Sequence, residues 1–128
     1  MSLCMVERRG MSDMRQATVE ARKVEIYIAG SIDAIQAACA EYCKRGFCVT
    51  VTPTTYVFTG GAETGAIIGL INYARFPINQ QALWDCAVEL GMLILERAEQ
   101  QSFTVQSHVI SRLYTKRVDH IEIDCRDI

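Results

Sequence analysis

Val24, Ile26 and Ile28 alternate with Glu25, Tyr27 and Ala29, a period of two that predicts a strand with one buried face. Gly30-Ser31 ends it and opens a helix. Ser31 is the N-cap, and Asp33 stands in the first turn, where a negative charge suits the helix dipole. From Ser31 to Arg45 the apolar positions Ile32, Ile35, Cys39, Tyr42 and Cys43 recur at helical spacing. Lys44 and Arg45 fall in the last turn and Gly46 supplies the stop.

Phe47 to Thr59 is dense in Thr, Val, Tyr and Phe and reads as a strand. Pro53 in its middle cannot donate a ladder hydrogen bond, which points to a sheet edge or a bulge. Gly60 to Gly65 reads as the turn. Ala66 to Tyr73 follows as a strand apolar on both faces, hence central in the sheet. After Arg75-Phe76-Pro77, Asn79 caps a second helix running to about Gln101. Leu83, Cys86, Ala87, Leu90 and Ile94 form one apolar stripe on it, and Trp84, Val88 and Leu95 the next. An arc that wide implies burial on two sides. Trp84, Val88 and Leu95 are therefore the expected contact with another subunit. Phe103 to Ile110 and Val118 to Cys125 read as the remaining strands.

This order predicts an α+β fold: a ferredoxin-like β-α-β-β-α-β plait with one antiparallel sheet, an N-terminal extension and a short extra C-terminal strand. The second and fourth strands of such a plait are edges, in agreement with Pro53. Residues 1–21 form the extension, expected to dock on its own domain or on a neighbouring subunit, and residues 22–128 a single domain. Met11-Ser12-Asp13-Met14 looks like a second start and sets the first ten residues apart.

Composition narrows the function classes. Of 128 residues 50% are hydrophobic, as in a folded domain, and 13 basic against 15 acidic residues give a net charge of −2. A module held by phosphate contacts usually has a basic excess, so nucleic acid is not an expected partner. The least charged stretch, Ala66 to Trp84, is broken by Asn72, Arg75 and Pro77, which leaves no membrane span. Six cysteines behind a start (Met1 to Val6) that lacks a basic and apolar leader read as free thiols of a cytoplasmic protein.

The chemistry-bearing patterns each have a plain structural reading. Gly60, Gly61, Glu63, Thr64 and Gly65 share the spacing of a phosphate loop, but no Lys-Ser/Thr and no helix follow, and Glu63 would repel a phosphate. The segment is a hairpin, or a loop that closes over a small ligand. Gly30, Ser31 and Asp33 put free amides at a helix start, which serves as a cap or as an anion site. In its order of elements the chain resembles ferredoxin-like regulatory domains of the ACT type, whose equivalent loop holds amino-acid effectors at a subunit interface. Their Asp-x-Pro-Gly-like loop is absent here.

Cys39, Cys43 and Cys48 lack the spacing of a cluster or zinc site, and the first two fall on the apolar stripe of their helix. His120, Glu122 and Asp124 alternate, so on a strand they share one face about 7 Å apart, either a metal triad or a solvated edge. The basic residues of the tail and of Arg112, Lys116 and Arg117 are interspersed with acids, as on a solvated surface. No nucleophile elbow, zinc-helix motif or dinucleotide fingerprint occurs, and no cofactor is implied. Two readings follow. The first is a small non-enzymatic binding or assembly domain acting as a homo-oligomer, a dimer or larger. The alternative is a small-ligand sensor or enzyme with its site in a subunit groove near Gly30-Ser31 and Gly60 to Gly65.

Overall fold

The computed structural model describes residues 6–8 and 13–118. Near the start, β1 (Val6–Arg8) and β2 (Arg15–Ala17) pair antiparallel as a two-stranded ribbon. The elements that follow are β3 (Lys23–Ala29), α1 (Ile32–Cys43), β4 (Thr50–Phe58), β5 (Gly61–Ile71), α2 (Gln80–Arg97), β6 (Ser102–Gln106) and β7 (Ser111–Thr115). The last five strands form one sheet in the order β4-β5-β3-β6-β7, and each neighbouring pair is antiparallel. The fold is thus α+β, with one antiparallel five-stranded sheet and two helices.

Local chemistry explains the helix boundaries. Ser31 Oγ accepts from the Ala34 amide at 3.3 Å, and Asn79 Oδ1 accepts from the Ala82 amide at 2.8 Å. Both predicted caps are thus in place. Helix α1 stops at Cys43, so Lys44 and Arg45 lie just beyond it rather than in its last turn. Gly46, at φ +91°, turns the chain away there.

The core lies between the helices and one face of the sheet. Val24, Ile26 and Ile28 of β3 meet Ile68 and Leu70 of β5, Val105 of β6, Ile35 of α1, and Leu83, Leu90 and Ile94 of α2. Gly91 is where α2 comes closest to the sheet, since a Cβ there would collide with the Phe103 ring. Asn72, the one buried polar residue among those described, ties three segments together. Its Nδ2 donates to the Glu20 carbonyl at 2.8 Å, and its Oδ1 accepts from the Ile78 amide at 2.7 Å.

Three expectations are corrected. Trp84 is only 9% exposed and Leu95 4%, so both belong to the chain's own core and offer little to a second subunit; Val88 is half-buried. The second side of α2 packs against α1. The turn expected over Gly60 to Gly65 is only Thr59-Gly60, because Phe58 already pairs with Gly61 and β5 begins there. Finally, β6 ends at Gln106. The amides of Val109 and Ile110 donate to Ser107 Oγ, turning the chain into β7, so β6 is not an edge as expected. The predicted edge position of the Pro53 strand holds. Beyond residue 118, the strand expected over Val118 to Cys125 lies outside the described residues.

Candidate functional site on the open face of the sheet

Among the described residues the helices cover one face of the sheet and leave the other open. Alternation sends Glu25, Tyr27 and Ala29 of β3 to that open face. The register places Ile67 beside Tyr27 and Gly65 beside Ala29 on β5, then Thr54 beside Gly65 and Tyr56 opposite Glu63 across the β4–β5 hairpin. Directly opposite residues in an antiparallel pair share a face, so Tyr56 and Glu63 stand side by side.

Hydrogen bonds organise these groups. Tyr27 Oη donates to Glu25 Oε1 at 2.8 Å, and Lys23 Nζ lies 3.3 Å from Glu25 Oε2. Tyr56 Oη donates to the Ala66 carbonyl at 2.6 Å, laying its ring across Gly65. The Tyr27 phenol is pushed above its ordinary pKa first by the bond to Glu25, then by burial and the charges of Glu25 and Tyr56. Burial raises that of Tyr56, and the backbone of Ile28 pulls it partly back. Both phenols therefore stay protonated and serve as donors and as aromatic surfaces. Glu63 is exposed and, among the described residues, has no ion-pair partner. A carboxylate beside the Tyr56 ring forms a surface suited to a cation.

The loops picked out from the sequence meet here. The Gly30 amide donates to the Thr64 carbonyl at 2.9 Å, so the start of α1 abuts β5. Thr64 and Glu63 are exposed next to this junction, while Ser31 is engaged in capping and Asp33 is exposed in the first turn of α1. Gly60, at φ +92°, makes the hairpin turn and Gly61 starts β5, both at the tip away from the junction. Glu25, Tyr27 and Tyr56 were not picked out from the sequence. Their signal was the polar half of a strand alternation, and only the register shows that they converge.

The cysteines divide as their helix pattern implies. Cys39 is buried, Cys43 and Cys86 are half-buried, and Cys48 is exposed with Sγ 3.5 Å from Tyr73 Oη. Among the described residues no three His, Cys, Asp or Glu side chains converge as metal ligands. His120, Glu122 and Asp124 lie outside the described residues. No helix among those described is long and apolar enough to cross a membrane.

No family model matches this chain, and no curated protein sequence matches it. Solved structures do. The chain is similar to a phage SAM lyase in the apo state, with a TM-score of 0.57 and 17% identity over 79% of this chain and 92% of that one. It is also similar to a phage SAM lyase in complex with S-methyl-5′-thioadenosine, with a TM-score of 0.50 and 16% identity over 87% of this chain and all of that one. At such identities the likeness is one of fold.

Proposed function

We propose that this chain is a homo-oligomeric enzyme of the ferredoxin-like plait that binds S-adenosylmethionine on the open face of its sheet and cleaves it. The strand order β4-β5-β3-β6, with α1 and α2 as the two crossovers, supports the plait, β7 being an added edge strand. The sequence alone favours a non-enzymatic assembly domain over a ligand site near the two glycine-containing loops. The observation that moves the reading to the ligand site is the pairing of Glu63 with Tyr56 beside the Gly30–Thr64 junction. A sulfonium carries a fixed positive charge, and a carboxylate beside an aromatic ring complements it. The likeness in fold to phage SAM lyases, one holding S-methyl-5′-thioadenosine, supports the same ligand class by analogy.

Self-association gives the site its second wall. Val57 and Phe58, at the tip of the β4–β5 hairpin, are 80% and 53% exposed, and Leu113 lies exposed on the open face. A second copy packed there would cover the ligand and exclude water, which strengthens the attraction between the charges. In the cleavage an oxygen of the substrate's own carboxylate bonds to the carbon that leaves sulfur. The carbon–sulfur bond breaks with its electron pair left on sulfur, so the sulfonium becomes a neutral thioether and the other fragment closes as a lactone. Nothing is added from outside, and the two fragments together contain every atom of the substrate. The free thiols fit the expected cytoplasmic setting.

Calorimetric titration with S-adenosylmethionine and with S-methyl-5′-thioadenosine tests the reading, because only the first carries the sulfonium. Glu63→Gln should weaken the sulfonium about tenfold or more, some 1.4 kcal/mol, and leave the thioether nearly unchanged. Absence of binding by either compound, or an equal loss for both in the variant, would overturn it.

A further inference from the structure

On the helix side of the molecule, a cleft of about 280 Å³ opens between the first turns of α2 and the β6–β7 turn. It lies at the opposite end of the sheet from Gly30 and Thr64, since Gln106 pairs with Glu25 near the start of β3. Gln81 and Trp84 of α2 form one wall, and His108, Ile110 and Arg112 of the hairpin form the other. Arg112 is opposite Val105, a core residue, which turns it to the helix side. There its guanidinium carbon sits 5.5 Å from the centre of the Trp84 ring.

That ring, and no carboxylate, holds the guanidinium. Among the described residues Arg112 has no ion-pair partner, and no acidic side chain lines the cleft. Asp85, one turn beyond Gln81, accepts from its amide at 3.0 Å. The Ser107 hydroxyl accepts from the amides of Val109 and Ile110, at 3.1 and 3.2 Å, and keeps its own proton to donate. Arg112, His108 and Ser107 thus offer donors around an indole edge, and the positive end of the α2 dipole adds to the charge of Arg112.

We propose that this cleft is a second binding site, separate from the open face, that takes a small organic oxyanion. The ligand is a phosphate or carboxylate held by Arg112, with a short apolar stem against Trp84 and Ile110. Small-molecule sites run from about 300 to 1,000 Å³, so this volume suits a small metabolite rather than a whole nucleotide.

Trp84 is the chain's one tryptophan, so its fluorescence reports this cleft alone. Phenyl phosphate, benzoate and neutral benzyl alcohol are titrated into the full chain at constant ionic strength. One or both anions should give a saturable change that benzyl alcohol does not; a response to only one of them names the bound group. Arg112→Gln should weaken it tenfold or more. Gln80→Glu, which adds a carboxylate where a helix start tolerates one, should do the same if the first variant folds poorly. No saturable change with either anion, an equal response to benzyl alcohol, or unchanged affinity in both folded variants would overturn the proposal.

Discussion

Gly65 has no side chain, and the ring of Tyr56 takes the space: a Cβ there would stand 2.6 Å from Tyr56 Cε2. The same Cβ would run into the backbone of Ile28 and Ala29. Glycine at this position therefore lets β3 and β5 pair closely and lets Tyr56 reach the Ala66 carbonyl. Gly65→Ala should destabilise the fold by about 1–3 kcal/mol, as overpacking does, and should displace the Tyr56 ring from the open face. Urea denaturation measures the first effect and loss of ligand binding the second. Tyr56→Phe, which removes only the hydroxyl, should cost about 1 kcal/mol. A Gly65→Ala protein as stable as the parent would contradict this packing.

Asn72 holds the segment before β3 to the segment before α2 through Glu20 and Ile78. Asn72→Ala leaves the Ile78 amide and the Glu20 carbonyl without that partner, at a cost of about 1–3 kcal/mol. Asn72→Asp should retain the contact to the Ile78 amide and lose the one to Glu20. A buried carboxylate set against the Glu20 carbonyl should leave it no more stable than Asn72→Ala, as thermal unfolding would register.

Charges placed at two apolar positions should have different consequences. Trp84→Asp removes the ring that packs against the core and puts a carboxylate in its place, and should unfold the chain, visible as lost ellipticity. Phe58→Asp, on the exposed hairpin, should keep the ellipticity and lower the native mass to that of one chain. An oligomer that survives Phe58→Asp and Val57→Asp would remove the hairpin from the interface.

Much of the fold is legible in the sequence where one residue suffices to set local geometry. Ser31 and Asn79 cap because a short polar oxygen meets an otherwise unpaired amide, and Pro53 marks an edge because it lacks an N–H. The failures come where the deciding partner is distant. Gly61 to Gly65 has the composition of a turn, yet its backbone pairs with β4 residue by residue. Val109 and Ile110 look like strand, yet their amides turn to Ser107. The wide apolar arc of α2 truly is buried on two sides, but its second partner is α1. The open-face cluster was hidden for the same reason: Tyr27 and Tyr56 meet only through a register that spans β5.

Buried acids give the fold an alkaline limit. Burial, with Cys43 second, pushes the Cys39 thiol up to about 11. The Tyr42 phenol is raised by burial first and then by its bonds with Cys86 and Glu89. Both groups are neutral in the folded chain, and their ionised forms favour the unfolded one. The Cys39 contribution is therefore complete below the unfolded thiol value of 9.0 and is lost as pH climbs toward about 11, while that of Tyr42 begins to be lost above 10.0. Urea midpoints should fall over that window, and less steeply in Cys39→Val. A midpoint that rises with pH there would contradict the burial of these groups.

The central claim is that the open face around Glu63 and Tyr56 binds and cleaves a sulfonium. The purified chain is incubated with S-adenosylmethionine, and the products are followed by liquid chromatography and mass spectrometry. The account predicts enzyme-dependent S-methyl-5′-thioadenosine, a second fragment carrying all remaining atoms of the substrate, and loss of both in Glu63→Gln. Intact S-adenosylmethionine after prolonged incubation with folded, oligomeric protein, or undiminished release by Glu63→Gln, would contradict it.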